Sequence, residues 1–148
     1  MTRAVVIGVG NALRGDDAAG LLVARGLSGR GIENVHESSG ETASLMELWE
    51  GADVLLLADA AQSGAEPGTV LRFDGSETPL PEAFPPCSTH AFGLAEAVEL
   101  ARSLGTLPPR VIVFGIEGRS FDHGASPGPE IVAGVAEASR LIEEELKR

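Results

Sequence analysis

Three short stretches carry residues able to bind a cation or move a proton. They are Gly8-Val9-Gly10-Asn11-Ala12-Leu13-Arg14-Gly15-Asp16-Asp17, Leu57-Ala58-Asp59-Ala60 and Ser88-Thr89-His90. The first begins as a glycine-rich loop, the arrangement that normally cradles a phosphate at a helix N-terminus. It closes on two aspartates, which repel phosphate and attract a metal cation or a positively charged group. The dinucleotide fingerprint also fails in detail, because the next glycine after Gly10 is Gly15 rather than a residue three positions on. Two carboxylates and an imidazole (Asp17, Asp59 and His90) form a hard-to-borderline donor set suited to a divalent first-row metal such as zinc or nickel. Three protein ligands leave open positions for metal handling or hydrolysis. Each residue also has a plainer reading. Asp16 and Asp17 would favour the start of a helix through its dipole, Asp59 could bond nearby backbone, and His90 could open or pack against the helix that follows it. Cys87, three residues before His90, raises a Cys–His nucleophilic pair, but an acidic chain offers little of the positive surroundings that activate a thiol. His123, in Phe121-Asp122-His123-Gly124, is a further metal candidate.

The elements that must position these residues alternate along the chain. Ala4 to Val9 is a continuous apolar run, the mark of a strand buried on both faces. Ala18 to Leu27 reads as a helix, Asn34 to Glu37 as a short strand, and Thr42 to Trp49 as a helix with Ser44 and Glu47 spaced for a capping box. Val54 to Ala58 is a second buried strand that ends at Asp59, and Thr69 to Phe73 a strand nearer a sheet edge. Residues 74 to 89 hold four prolines (Pro79, Pro81, Pro85 and Pro86) without periodicity and read as an ordered loop or lid. A helix from Ala91 to Leu104, a third buried strand from Val111 to Gly115, a loop from Gly118 to Pro127 and a last helix opened by Pro129 complete the chain. That helix carries Ile131, Val135, Ala138, Ile142 and Leu146 on one stripe, and Glu143-Glu144-Glu145 reads as a solvated face. The alternation predicts an α/β three-layer sandwich, a mostly parallel central sheet flanked by helices, in one domain spanning residues 1–148. In such sheets ligands bind beyond the carboxyl ends of the strands. Asp17, Asp59 and His90 all fall there.

Composition narrows the partners. The 148 residues carry 11 Lys and Arg against 22 Asp and Glu, a net charge of −11 that excludes nucleic acid and anionic membranes. A single cysteine excludes an internal disulfide and a Cys-rich zinc site and fits a reducing cytoplasm. The apolar run after Met1 is too short for a signal peptide. No stretch is long and apolar enough for membrane insertion. A cytoplasmic protein is expected.

These residues resemble the maturation endopeptidases of nickel–iron hydrogenases. The matching pieces are Gly8-Val9-Gly10-Asn11 with Asp16-Asp17, Asp59-Ala60 followed by Gly64 and Pro67-Gly68, Ser88-Thr89-His90, and Gly115-Ile116-Glu117-Gly118. The resemblance implies a cytoplasmic protease that removes a C-terminal extension from a hydrogenase large-subunit precursor after nickel insertion. It further implies that Asp17, Asp59 and His90 bind the nickel carried by that precursor and act in catalysis; Asn11, Asp16 and Glu41 are the candidate substrate contacts. The family often has glutamate where this chain has Asp17, a longer arm with the same charge. At Ser38-Ser39-Gly40-Glu41-Thr42 many relatives have an aspartate and a glycine–threonine pair, so Glu41 supplies acid from a different position: it contacts the substrate or merely opens a helix. The hydrolysis expected is metal-assisted, with Asp16 or Asp17 available as general base. A non-cleaving metal-binding chaperone or sensor, and a metal-dependent hydrolase of small substrates, are the competing readings.

Overall fold

The computed structural model describes residues 2–11, 15–81, 94–119 and 126–148. The strands are β1 (Ala4–Val9), β2 (Val35–Ser38), β3 (Val54–Ala61), β4 (Val70–Asp74) and β5 (Arg110–Glu117). The helices are α1 (Ala19–Gly29), α2 (Thr42–Trp49), α3 (Leu94–Leu104) and α4 (Pro129–Leu146), and a 3-10 turn (Gly15–Ala18) leads into α1. The sheet order is β2-β1-β3-β5-β4. All pairings are parallel except β4 with β5, which puts an antiparallel strand at the edge. This is the α/β sandwich that the alternating pattern predicts.

Side-chain alternation along the strands divides the core in two. Val6, Leu56, Ile112 and Phe114 pack with Val23 and Leu27 of α1 and Ile131, Ala138 and Ile142 of α4. Val5, Ile7, Leu55, Leu57, Val111 and Val113 pack with Leu45 and Trp49 of α2 and Val98 and Ala101 of α3. Burial on both faces explains why β1, β3 and β5 read as unbroken apolar runs.

The register corrects several details of the sequence reading. β3 does not end before Asp59 but continues to Ala61, because β5 extends to Glu117 and pairs Asp59 with Gly115, Ala60 with Ile116 and Ala61 with Glu117. β2 runs one residue later than expected, to Ser38. The Ser44–Glu47 capping box does not form: the N-cap of α2 is Glu41, which makes no side-chain capping bond. Glu145 is no solvated residue. Its side chain is 6% exposed and its carboxylate receives Arg72 at 3.0 Å and Arg110 at 2.6 Å, so α4 is tied to β4 and β5. Of the predicted lid, the described part is shaped by Arg102, whose guanidinium donates to the carbonyls of Ser76, Gly75 and Thr78. The rest of that segment, and the start of the helix predicted from Ala91, lie outside the described residues. Among the described residues no helix is long and apolar enough to cross a membrane.

Candidate active site

The glycines of the first motif serve close packing rather than phosphate. A Cβ on Gly20 of α1 would meet the backbone of Val9 and Ala58, and one on Gly8 would meet Ala24 Cβ at 2.7 Å as well as the Gly20 carbonyl. The helix start is thereby pressed onto β1 and β3. A Cβ on Gly10 would collide with the Asp17 carbonyl, which accepts the Asn11 N–H at 3.1 Å. The glycine loop is thus the seat of the acidic turn. That turn also packs against β3, the strand that carries Asp59.

Asp17 is 8% exposed and Asp59 4%. Asp59 Oδ1 accepts the N–H of Ala60 at 2.8 Å. The residue opposite Asp59 on β5 is Gly115, which contributes no side chain on that side. Asp16, 3% exposed, faces a different segment. Its Oδ2 accepts the Arg119 N–H at 2.6 Å and its Oδ1 the Gly128 N–H at 3.0 Å. One carboxylate therefore holds both ends of the connection between β5 and α4. Of the two neighbouring aspartates, Asp16 thus serves the scaffold.

β2 joins the same edge. The Gly10 N–H donates to the Ser38 carbonyl at 3.0 Å, and Ser38 Oγ accepts the Gly40 N–H at 3.0 Å. Gly40, at φ 94°, turns the chain so that Glu41 begins α2 as an exposed residue. Asn11 is half-buried beside the acidic turn. His90, Cys87 and His123 lie outside the described residues. Asp17 and Asp59 are hard oxygen donors. Among the described residues no three acids, histidines or cysteines group closely enough to hold a metal ion.

One residue at this edge is marked in the sequence only as part of Gly115-Ile116-Glu117-Gly118, with no role assigned to it. Glu117 closes β5, is 3% exposed, and receives the Ser63 N–H at 2.9 Å, the Ser63 hydroxyl at 2.6 Å and the Gly64 N–H at 3.3 Å. An acid ending a buried strand is the signal that would have found it, since a buried carboxylate requires donors. Among the described residues six polar side chains are buried, and five of them (Asp16, Asp17, Ser38, Asp59 and Glu117) lie at this edge. In sheets of this kind ligands bind beyond the carboxyl ends of the strands, where these residues lie.

Comparison with known proteins identifies the family. The sequence profile of the HycI hydrogenase maturation proteases matches residues 39–146. The hydrogenase expression/formation protein HupD of Thiocapsa roseopersicina is 30% identical over 147 residues, covering 96% of this chain and 66% of that protein. The hydrogenase 2 maturation protease of Escherichia coli K12 is 31% identical over 146 residues, covering 95% of this chain and 88% of its own. Among solved structures, the E. coli hydrogenase maturating endopeptidase HybD superposes with a TM-score of 0.79 at 25% identity, covering 99% of this chain and 93% of that one. HycI of Thermococcus kodakarensis KOD1, a [NiFe] hydrogenase maturation protease, gives 0.72 at 26% identity, covering 99% and 94%. With its sequence matched along most of its length and its fold shared, the chain belongs to the hydrogenase maturation protease family, a family of peptidases.

Proposed function

We propose that this protein is a cytoplasmic endopeptidase that removes the C-terminal extension of a nickel–iron hydrogenase large-subunit precursor once nickel has been inserted. Nickel belongs to the substrate: it arrives bound to the precursor and is read by Asp17, Asp59 and His90. The observation that carries this reading is the burial of Asp17 and Asp59 at one edge, on a turn and a strand that pack together. Buried carboxylates favour a multivalent cation that brings compensating charge into a site of low dielectric.

The residues divide the work. Asp17 and Asp59 present oxygen donors and His90 the imidazole, so the metal end of the precursor is anchored and the scissile peptide lies nearby. Hydrolysis adds water to the peptide carbonyl carbon, breaks the C–N bond and leaves a new carboxylate and a new amine. Nickel supplies positive charge close to the developing oxyanion. Asn11 and Glu41 flank the peptide from the β1 and β2 connections. Asp16 acts on substrate binding through the β5–α4 connection that it holds.

The test is incubation of the purified protein with nickel-loaded and nickel-free precursor, followed by mass measurement of the product. The expected result is loss of one C-terminal peptide from the nickel-loaded form alone. Binding without shortening would establish a chaperone instead, and turnover of small peptides without the precursor a general hydrolase.

A further inference from the structure

Glu117 is a buried carboxylate for which peptide hydrolysis as described has no use. It stands across the ladder from Ala61, two residues beyond the Gly115 that faces Asp59. By strand alternation its side chain shares the face of Val113, and that of Asp59 the face of Leu57, so both acids lie on the α2–α3 side of neighbouring strands. Besides the bonds to Oε1, its Oε2 accepts the Ser63 N–H at 3.1 Å and the Gly64 N–H at 3.3 Å. Its main chain holds the far end of the same connection, with the Gly68 N–H donating to the Glu117 carbonyl at 2.8 Å and the Glu117 N–H to the Thr69 carbonyl at 2.9 Å. A single residue thus fastens both ends of the link between β3 and β4. The turn at Gln62, Ser63 and Gly64 is exposed and starts three residues beyond Asp59. A surface turn needs no buried acid, because glycine, proline and Asx turns form without one. Desolvating a carboxylate for this purpose is costly.

We infer that Glu117 is a positioning residue for substrate binding: it fixes the 62–64 turn as the wall along which the precursor peptide lies beside Asp59. The inference rests on the peptidase reading above. Its role is to hold the turn beside Asp59, so its loss weakens binding of the peptide more than it slows bond cleavage.

The test compares wild type, Glu117→Gln and Ser63→Ala with nickel-loaded precursor. It measures KM and kcat, the Kd for the precursor by titration, and amide hydrogen exchange at Ser63 and Gly64. Glutamine keeps one acceptor oxygen and turns an amide against the N–H groups. In Glu117→Gln, KM and Kd rise about tenfold, the scale of one charge-assisted hydrogen bond, while kcat stays within about twofold. The Ser63 and Gly64 amides exchange faster. Ser63→Ala, which leaves the carboxylate and its backbone donors in place, shifts KM and Kd the same way by less, and decides the matter if the glutamine variant does not fold. A fall in kcat at constant KM would overturn the inference, as would faster exchange with KM and Kd unchanged. If wild type binds the precursor without cutting it, the peptidase reading fails alone, and Kd and exchange still judge Glu117.

Discussion

Carboxylates leave solvent in two regions of this molecule, one at the loops of the sheet edge and one at a helix–sheet seam. At the carboxyl edge of the sheet, the donors to Asp16, Asp59 and Glu117 include the N–H groups of Arg119, Gly128, Ala60, Ser63 and Gly64, and the Ser63 hydroxyl. At the seam of α4 with β4 and β5, Glu145 receives two guanidinium groups, from Arg72 and Arg110. An ion pair spends the negative charge within the protein. Backbone donors fix the direction of a carboxylate, and through them Asp16 and Glu117 pin the connections around the edge. The seam ties α4 to the sheet, and the edge carries the acids proposed to meet the substrate.

The largest test of that contrast removes charge at the edge. Asp17→Asn and Asp59→Asn are expected to lower kcat/KM for the nickel-loaded precursor on the order of 10²–10³-fold, the range seen when one preorganised charge-stabilising group is lost. Unfolding midpoints measured beside the kinetics separate this from simple destabilisation. Gly20→Ala attacks the seat of the acidic turn. The new Cβ meets backbone on two strands, with Val9 N at 2.8 Å, so α1 must move outward. Denaturant unfolding should show a loss of about 1–3 kcal/mol, the usual cost of overpacking, together with reduced cleavage.

The seam should behave otherwise. Glu145→Gln breaks both ion pairs, but Arg72 and Arg110 are 43% and 40% exposed and solvent screens much of the attraction. A stability loss of about 1 kcal/mol, shrinking in high salt, is expected from chemical denaturation, with cleavage unchanged. Altered cleavage in this variant would break the comparison. The smallest effect belongs to Asp74 at the end of β4. The Ser76 N–H, then its hydroxyl, then the charges of Arg72 and Arg110 hold this carboxyl below its ordinary value of 3.8. A depressed folded-state value adds stability that is present above the unfolded value and is lost as pH falls through the folded one. Asp74→Asn should therefore lower the denaturation midpoint slightly near neutral pH and converge with wild type in strong acid.

The fold was largely legible in the sequence because its signals are local. Unbroken apolar runs give the buried strands and the stripe from Ile131 to Leu146 gives α4, while the loop ending in Asp16-Asp17 points to the carboxyl edge. What escaped depends on contacts between distant residues. Nothing around Asp16 announces that its oxygens meet Arg119 and Gly128, more than a hundred positions away. Asp59 seemed to end its strand because only pairing with β5 reveals that the strand continues. Glu145, in a run of three acids, is singled out solely by two arginines from other elements. The hold of Glu117 on Ser63 and Gly64 was hidden in the same way.

The central claim is that the acidic edge reads the nickel carried by the precursor. Its most direct test is the ratio of Kd values for nickel-free and nickel-loaded precursor, measured by titration with wild type and with Asp59→Asn. The account predicts that wild type binds the loaded form more tightly by about a hundredfold, or about 2.8 kcal/mol, and that the ratio collapses toward one in the variant. Equal affinities for the two forms in wild type would contradict it.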